Sequence, residues 1–291
     1  MTHAAKRKSR SDPLDRPGGI QYAGESGISA DCKDAVVRLL QHGDRIAAAR
    51  ILTCATRHCL LLTISDGELV AVKSGFASGY GGEGPTAFSY VLQLLDAHGV
   101  DVDEFEVAEA VIERLDRSSL TESDLVELAS ANRVRPSRWF QDYIEVQHRD
   151  SRAEGTLWQE FPLVIPFAIV DPRLVDLALS FWDAPDDKLM TAYRRLEDIT
   201  RKRTGIDEHG SKLFSRAFMG PTAKLHWPEA DDSEQAGRAQ LFTASFGAFR
   251  NPRAHREKKD RREDLLAEFL LLNQLFRLEK EAVPNPANSE S

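Results

Sequence analysis

The stretch of this sequence with the clearest chemical potential reads FRNPRAH and covers residues 249–255. Arg250 could offer phosphate oxygens the planar donor fork of a guanidinium. His255 carries an imidazole, which titrates near neutral pH and can move a proton to or from a ribose oxygen. Neither role requires a metal ion. The pair therefore favours phosphodiester chemistry, although an Arg-x4-His spacing alone is a weak signal.

Helical patterns on both sides of the motif predict how it is positioned. Phenylalanines at i, i+4 and i+7 predict an aromatic-rich helix over residues 236–250. Pro252 disfavours helical backbone at the residue before it, so the chain is expected to leave the helix there. We expect a last helix over residues 261–280, started by a capping box of Asp260 and Glu263. Arg250 and His255 would then face one groove at a helix–helix junction.

A strip of positive charge accompanies the motif. Residues 250–262 contain seven basic and two acidic side chains, a net charge of +5 in a chain whose net charge is −8. Such a strip predicts binding to a phosphate backbone, with an affinity that depends on salt. The alternative is a solvated turn in front of a helix. The basic residues are Arg250, Arg253, Arg256, Lys258, Lys259, Arg261 and Arg262.

A glycine-rich loop is the second candidate site. Backbone N–H groups at a helix N-terminus can bind a phosphate group. No Gly-Lys-Ser/Thr follows the loop, so it is not a P-loop, and Glu83 within it would repel an anion. A structural turn or a subunit contact is the favoured interpretation, and a ligand loop is the alternative. Its glycines are Gly79, Gly81, Gly82 and Gly84.

The secondary-structure pattern predicts an α+β N-terminal domain followed by an all-α C-terminal domain, and a chain that is mostly helical. Two β-rich runs around residues 66–67 predict a hairpin, and residues 46–55 are expected to form a helix. Thr121 begins a predicted capping box, and residues 139–146 are interpreted as a strand. The predicted parts are a disordered tail 1–30, an α+β domain 31–147, a connecting segment 148–185, a helical domain 186–281 and a polar tail 282–291.

Composition excludes several classes of protein. The length of 291 residues allows about two domains, and 42% hydrophobic residues suffice for a core. A net charge of −8 argues against a histone-like DNA-packing protein. Cys32, Cys54 and Cys59 form neither a disulfide framework nor a zinc motif, even with His58 nearby, so we expect reduced thiols in the cytoplasm and no metal or other cofactor. No apolar run is long enough to cross a membrane.

The FRNPRAH motif resembles that of the HEPN superfamily and, within it, of the bacterial Ymh-type family. The segment from Tyr193 to Phe218 also resembles that family's long first helix, Lys-Thr-Gly stop and second helix. The resemblance covers about residues 186–280. It implies a helical bundle that dimerises, with the Arg-x4-6-His motifs of two protomers in one cleft. Many such domains are metal-independent RNA endonucleases of toxin or phage-defence systems.

The resemblance also implies roles for single residues. His255 would act as general base or acid at the ribose 2′-oxygen or the leaving oxygen, and Arg250 would hold the scissile phosphate. Asn251 would orient His255 or the phosphate. Attack by the 2′-oxygen would leave a 2′,3′-cyclic phosphate. Arg256 departs from the family, in which an acidic residue is expected after the histidine.

Three functions therefore remain open from the sequence. The first is an RNA endonuclease that works as a homodimer, with an antitoxin or another defence protein as a further partner. The second is a non-catalytic helical module that binds RNA or assembles a defence complex. The third is a nucleotide-binding regulator that uses the glycine loop.

Overall fold

The computed structural model describes residues 16–65, 67–131, 133–134, 140–144, 155–159, 161–255 and 260–286, with the backbone alone at residues 140, 141, 254 and 255. The chain divides into an N-terminal unit, residues 1–161, and a C-terminal unit, residues 162–291. No helix among the described residues is long and apolar enough to span a membrane.

A five-stranded mixed sheet forms the centre of the N-terminal unit, in the order β1-β4-β3-β2-β5. The meander β2-β3-β4 is antiparallel, whereas β1 runs parallel to β4 and β5 runs parallel to β2. The strands are β1 (Gln21–Ala23), β2 (Ile46–Cys54), β3 (Arg57–Ile64), β4 (Leu69–Ala77) and β5 (Asp101–Glu106).

Helices cover both faces of this sheet, which gives three layers. Because neighbouring side chains of a strand point to opposite faces, Leu60 and Leu62 of β3 pack with the first two helices, and Cys59 and Leu61 pack with the next two. Two hydrophobic cores result, one on each face. The helices are α1 (Ser29–Gln41), α2 (Glu83–Ala97), α3 (Glu109–Asp116) and α4 (Glu122–Ser130).

Some predictions for this unit are confirmed. The strands β3 and β4 pair as the predicted hairpin; its turn residue Asp66 lies outside the described residues. Thr121 caps α4 in the predicted capping box, since its hydroxyl accepts the Asp124 N–H and Asp124 accepts the Thr121 N–H.

Other predictions for this unit are wrong. Residues 46–54 form β2 rather than a helix, because hydrogen bonding to β3 on one side and β5 on the other outweighs the local helical pattern. Residues 140–144 form a π-helical turn rather than a strand. Within the predicted disordered tail, residues 21–23 pair with β4, and α1 begins at Ser29; residues 1–15 lie outside the described part.

In its described residues, the C-terminal unit is mainly helical, with a two-residue strand pair of β6 (Leu225–His226) and β7 (Val283–Pro284). Its core is rich in stacked aromatic rings; the Phe214 and Phe242 ring centroids, for example, are 5.3 Å apart. The helices are α5 (Val175–Leu179), α6 (Pro185–Thr204), α7 (Gly210–Phe218), α8 (Asp232–Ser245), α9 (Asn251–His255) and α10 (Arg262–Glu281).

The predicted connecting segment contributes its end to this aromatic core. Leu174, Leu177 and Phe181 are buried there with residues of α6 and α10. From Pro172 to Asp183 the helical structure is interrupted, since α5 is flanked by the 3-10 turns Pro172–Leu174 and Phe181–Asp183.

The helix around Pro252 differs from the prediction. The chain remains helical, since α8 passes through a π-helical turn, Phe246–Arg250, into α9. The Asn251 N–H bonds to the Phe246 carbonyl, five residues back. A proline in a regular α-helix clashes with the carbonyl four residues before it. The wider π-turn relieves this conflict, so Asn251 and Pro252 stay in the helix.

The predicted capping box before the last helix is also wrong. Helix α10 begins after Arg261, whose side chain makes no cap hydrogen bond. Asp260 instead accepts a hydrogen bond from Arg253 at 2.9 Å. A charge-assisted bond to a guanidinium is stronger than a neutral cap, which explains why this carboxylate is used elsewhere.

A buried carboxylate ties the ends of α6 and α10 together. Glu279 is fully buried, and its two oxygens each accept a hydrogen bond of 2.5 Å, one from Arg173 and one from Arg203. Arg173 also bonds Asp171, and although burial raises the pKa of that carboxyl, the Arg173 hydrogen bonds outweigh it and lower the pKa of Asp171 overall. Removing one partner of such a network leaves a buried charge uncompensated.

We expect Glu279→Ala to lower the free energy of unfolding by about 3–5 kcal/mol, because two arginines would lose their common partner. Chemical denaturation followed by circular dichroism measures this change. Glu281→Ala is the matched control, since Glu281 lies on the same helix but is exposed and 3.9 Å from Arg238; it should change the free energy by less than about 1 kcal/mol. Equal effects of the two variants would contradict the assigned role of Glu279.

Candidate active site

Arg250 lies at the end of the π-helical turn, where π-turns in other proteins often mark functional positions. Its side chain is 24% exposed, and its terminal nitrogen Nη2 is 3.6 Å from Oε2 of Glu197 on α6. This distance is an ion pair but exceeds a hydrogen bond. The Arg250 Nε is buried and has no hydrogen-bond partner among the described residues. The guanidinium is thus held electrostatically while retaining donor capacity.

Glu197 is itself fixed from the opposite side. It is buried, and its Oε1 accepts the backbone N–H of Gly210 at 2.6 Å, at the N-terminus of α7. A helix N-terminus carries partial positive charge and stabilises a carboxylate. Because Gly210 adopts a φ of +58°, glycine suits this position. Three elements, α6, α7 and the π-turn, therefore determine where the Arg250 side chain lies.

Asn251 and His255 follow Arg250 on α9. They are four residues apart in a helix, so they lie on the same helical face. Asn251 is exposed, and the His255 side chain lies outside the described residues. The shared face is the arrangement that an orienting contact between Asn251 and His255 would require.

The environment of Arg253 does not fit the prediction that this residue binds RNA. Its side chain is only 4% exposed and is surrounded by carboxylates. It donates to Glu268 of α10 at 2.5 Å and to Asp260 at 2.9 Å, and it pairs with Asp186 of α6. Burial favours the neutral form, but these carboxylates outweigh it and raise the pKa of Arg253. Arg253 is a structural residue that joins α9 to α6 and α10.

The remaining basic residues divide into two groups. Arg261 is 77% exposed and hydrogen-bonds Asp264, one helical turn away, at 3.1 Å. Arg262 is exposed, with its guanidinium 4.4 Å from the ring centroid of Trp182, at cation–π distance. Both can still meet a phosphate, whereas Arg256, Lys258 and Lys259 lie outside the described residues.

The glycine-rich loop belongs to the N-terminal unit and connects β4 to α2. Gly79 has a φ of +84°, so the turn requires a glycine there. A Cβ atom at Gly84 would lie 3.0 Å from the Ala77 Cβ, which is tight packing. These constraints explain two of the glycines structurally, while a Cβ at Gly81 would meet nothing within 4 Å. Gly82 precedes the first residue of α2.

The sequence did not single out Glu197 and Glu268, the buried acids that pair with Arg250 and Arg253, respectively. A signal was available for Glu197, because it follows Leu196 on α6, beside the apolar stripe of that helix, where a charged residue needs a partner. For Glu268 the local pattern gave no such indication. No group of three or more potential metal ligands occurs among the described residues.

Comparison with known proteins gives limited matches. No curated protein matches the chain. A chain of the solved structure "Respiratory complex I from Thermus thermophilus" is 21% identical, and the match covers 40% of this chain and 97% of that chain. Its TM-score of 0.32 is too low to carry an argument. Residues 170–278, which include the whole FRNPRAH motif, match the model of a family described as "Protein of unknown function (Hypoth_ymh)", and this supports the predicted resemblance to the Ymh family over that region.

Proposed function

We propose that the C-terminal unit is a HEPN-like RNA endonuclease that uses Arg250 and His255 and needs no metal ion. One observation supports the proposal: the Arg250 side chain is 24% exposed and its Nη2 is 3.6 Å from Glu197, so the ion pair fixes the guanidinium without using up its donors in a hydrogen bond. A positively charged group fixed in place with donors to spare is suited to an anionic ligand that arrives from outside.

The proposed reaction is attack of a ribose 2′-oxygen on the adjacent phosphorus. His255 takes the 2′-hydroxyl proton or returns a proton to the leaving 5′-oxygen. The new P–O bond closes a 2′,3′-cyclic phosphate as the bond to the 5′-oxygen breaks. Arg250 stabilises the charge that develops on the phosphate oxygens. Single strands and loops suit this reaction, since their backbone can reach the in-line geometry.

Replacing Arg250 or His255 by alanine should remove most RNA cleavage. We expect the His255→Ala variant to lose about 10²–10⁴-fold in rate, the usual contribution of general acid–base catalysis. Arg250→Lys should restore little activity, because an ammonium lacks the planar fork. The measurement is cleavage of labelled RNA in EDTA with analysis of the cyclic phosphate end, and a 2′-deoxy nucleotide at the cleavage position should block the reaction.

The Arg253→Ala variant distinguishes a loss of stability from a loss of the proposed active site. It should lower the free energy of unfolding by about 3–5 kcal/mol, since Glu268 would be left buried without its arginine partner. Arg250→Ala should lower it by less, because Glu197 would keep the hydrogen bond from the Gly210 N–H after losing its ion pair. Full cleavage by His255→Ala, or a strict requirement for added metal, would contradict the proposed mechanism. RNA binding without cleavage would instead favour the helical binding module.

The proposed RNA contact predicts a strong dependence of affinity on salt. On single strands the slope of log K against log salt should be about −0.7 for each phosphate contacted. Changing Lys258, Lys259, Arg261 and Arg262 to glutamine should flatten this slope, measured by fluorescence anisotropy. Replacing four exposed basic residues of α6 and α7, namely Arg194, Lys202, Lys212 and Arg216, is the charge-matched control. An equal loss in both variants would place the RNA elsewhere.

The proposed dimer needs an apolar surface outside α10. Most of the apolar side chains of α10, among them Phe269 and Phe276, are buried in the core of their own unit. Large exposed apolar residues of this unit lie elsewhere, and Leu179 is 73% exposed. The others among the described residues of this unit are Val164, Phe167, Ile169 and Val283.

If a second copy covers these residues, Leu179→Glu combined with Phe167→Glu should convert a dimer to a monomer, since a carboxylate is costly to bury. Light scattering at micromolar concentration measures the mass. The control is Val126→Glu, which changes an exposed residue of the N-terminal unit. A wild-type chain that is monomeric at this concentration would contradict both the dimer and the composite cleft.

A further inference from the structure

A serine and a buried histidine meet at the start of the glycine-rich loop in the N-terminal unit. Ser78 follows the last residue of β4, and its Oγ is 2.8 Å from Nε2 of His58 on β3. His58 is fully buried, whereas Ser78 is partly exposed. The pair therefore connects the protein interior to a partly exposed residue at the start of the loop.

The other ring nitrogen of His58 belongs to a chain of hydrogen bonds. Its Nδ1 is 3.0 Å from the hydroxyl of Thr53 on β2, and that hydroxyl donates to Oε1 of Glu104 on β5 at 2.7 Å. The hydroxyl of Tyr143 donates to the same oxygen at 2.6 Å. Strand alternation places Thr53, His58 and Glu104 on one face of the sheet, beneath α2.

This chain determines which nitrogen of His58 carries the proton. A threonine hydroxyl has one proton, and Thr53 gives it to Glu104, so Thr53 must accept from Nδ1–H. In the neutral imidazole, Nε2 then holds a lone pair. It follows that the Ser78 hydroxyl donates its proton to Nε2, which is the relation between a nucleophile and its general base.

The ring of His58 is also held against rotation. The Phe88 ring of α2 stacks on it with centroids 4.5 Å apart, and Tyr143 packs edge-on at 4.9 Å. The Ser78 backbone is fixed by a hydrogen bond from its N–H to the carbonyl of Thr56 at 3.0 Å. Both members of the pair are thus preorganised in the way that a catalytic pair requires.

The surroundings of Ser78 favour an uncharged substrate. The loop after Ser78 leads into the N-terminus of α2, where Glu83 and Gly84 have backbone N–H groups without partners within the helix, and such groups can stabilise an oxyanion; the next residue, Pro85, has no N–H. Glu83 begins that helix and disfavours a ligand that is already anionic. An acyl carbonyl, which is neutral before attack and negative after it, fits both features.

We propose that Ser78 is an activated nucleophile, with His58 as its general base and Thr53 as a positioning residue, and that the N-terminal unit hydrolyses a small carboxylic ester. The Ser78 Oγ attacks the carbonyl carbon and its proton passes to Nε2 of His58. The bond to the alcohol oxygen breaks as Nε2 returns the proton to it. Water then attacks the acyl-serine in the same manner, which releases the acid and restores Ser78.

The test is covalent labelling of the full chain with a fluorophosphonate, which phosphonylates a serine activated by a histidine and releases fluoride. We expect modification at Ser78, located by peptide mass spectrometry, and turnover of p-nitrophenyl acetate. Ser78→Ala should abolish both signals, and His58→Gln should slow labelling by about 10²–10⁴-fold. Ser65→Ala is the matched control, since Ser65 is an exposed serine at the end of the neighbouring strand.

Variants of Thr53 test whether its hydroxyl positions His58 or whether the side chain only fills space. Thr53→Val keeps the shape but removes the hydroxyl, so labelling should slow at least tenfold, whereas Thr53→Ser should retain the wild-type rate. Circular dichroism verifies that each variant is folded. An unlabelled Ser78 in the wild-type chain, under conditions that fully label a serine esterase, overturns the proposal even if the buried His58 variant does not fold. So does an unchanged labelling rate in a folded His58→Gln variant.

Discussion

The C-terminal unit depends on the pairing of one buried guanidinium. Arg253 is almost fully buried, and an unpaired charge in that position would cost several kcal/mol, on the order of 3–5 by analogy with other buried pairs. Its carboxylate partners are Asp186 of α6, Asp260 in the segment before α10, and Glu268 of α10 itself. If those elements separated, Arg253 and its carboxylates would either become exposed to solvent or remain buried without a partner. The helix that carries Arg250 is thereby anchored on the side where the motif ends.

Two arginines of one motif consequently have different environments. Arg253 is saturated by carboxylates, whereas Arg250, three residues earlier, meets Glu197 at a distance that leaves its donors available. Rotation along the helix accounts for this difference, since it turns the two side chains toward different neighbours. The π-turn that ends at Arg250 also shifts the helical register, and it lets Pro252 remain within a helix.

In the N-terminal unit, buried polar groups also need partners, and there the partners are neutral groups and one carboxylate. Thr53, His58 and Glu104 lie on the face of the sheet that α1 and α2 cover, where an unsatisfied polar group would be costly. They are linked by hydrogen bonds in a chain that ends at the partly exposed Ser78. In each unit, buried polar residues hold one side chain at the edge of the hydrophobic core: Arg250 in the C-terminal unit and Ser78 in the N-terminal unit.

Local patterns in the sequence determined the hairpin strands, the Thr121 capping box and most helices of the C-terminal unit, because each depends on neighbours a few residues away. The FRNPRAH motif likewise indicated the family resemblance, and it identified Arg250 as a candidate site residue. Tertiary structure alone decided that residues 46–54 form a strand, since β3 and β5 supply its hydrogen bonds. It also decided the role of Arg253, whose partners Asp186 and Glu268 lie 67 and 15 residues away. Charge counting cannot distinguish a basic residue that faces solvent from one whose charge is matched inside the fold, because burial and pairing depend on which distant segments meet.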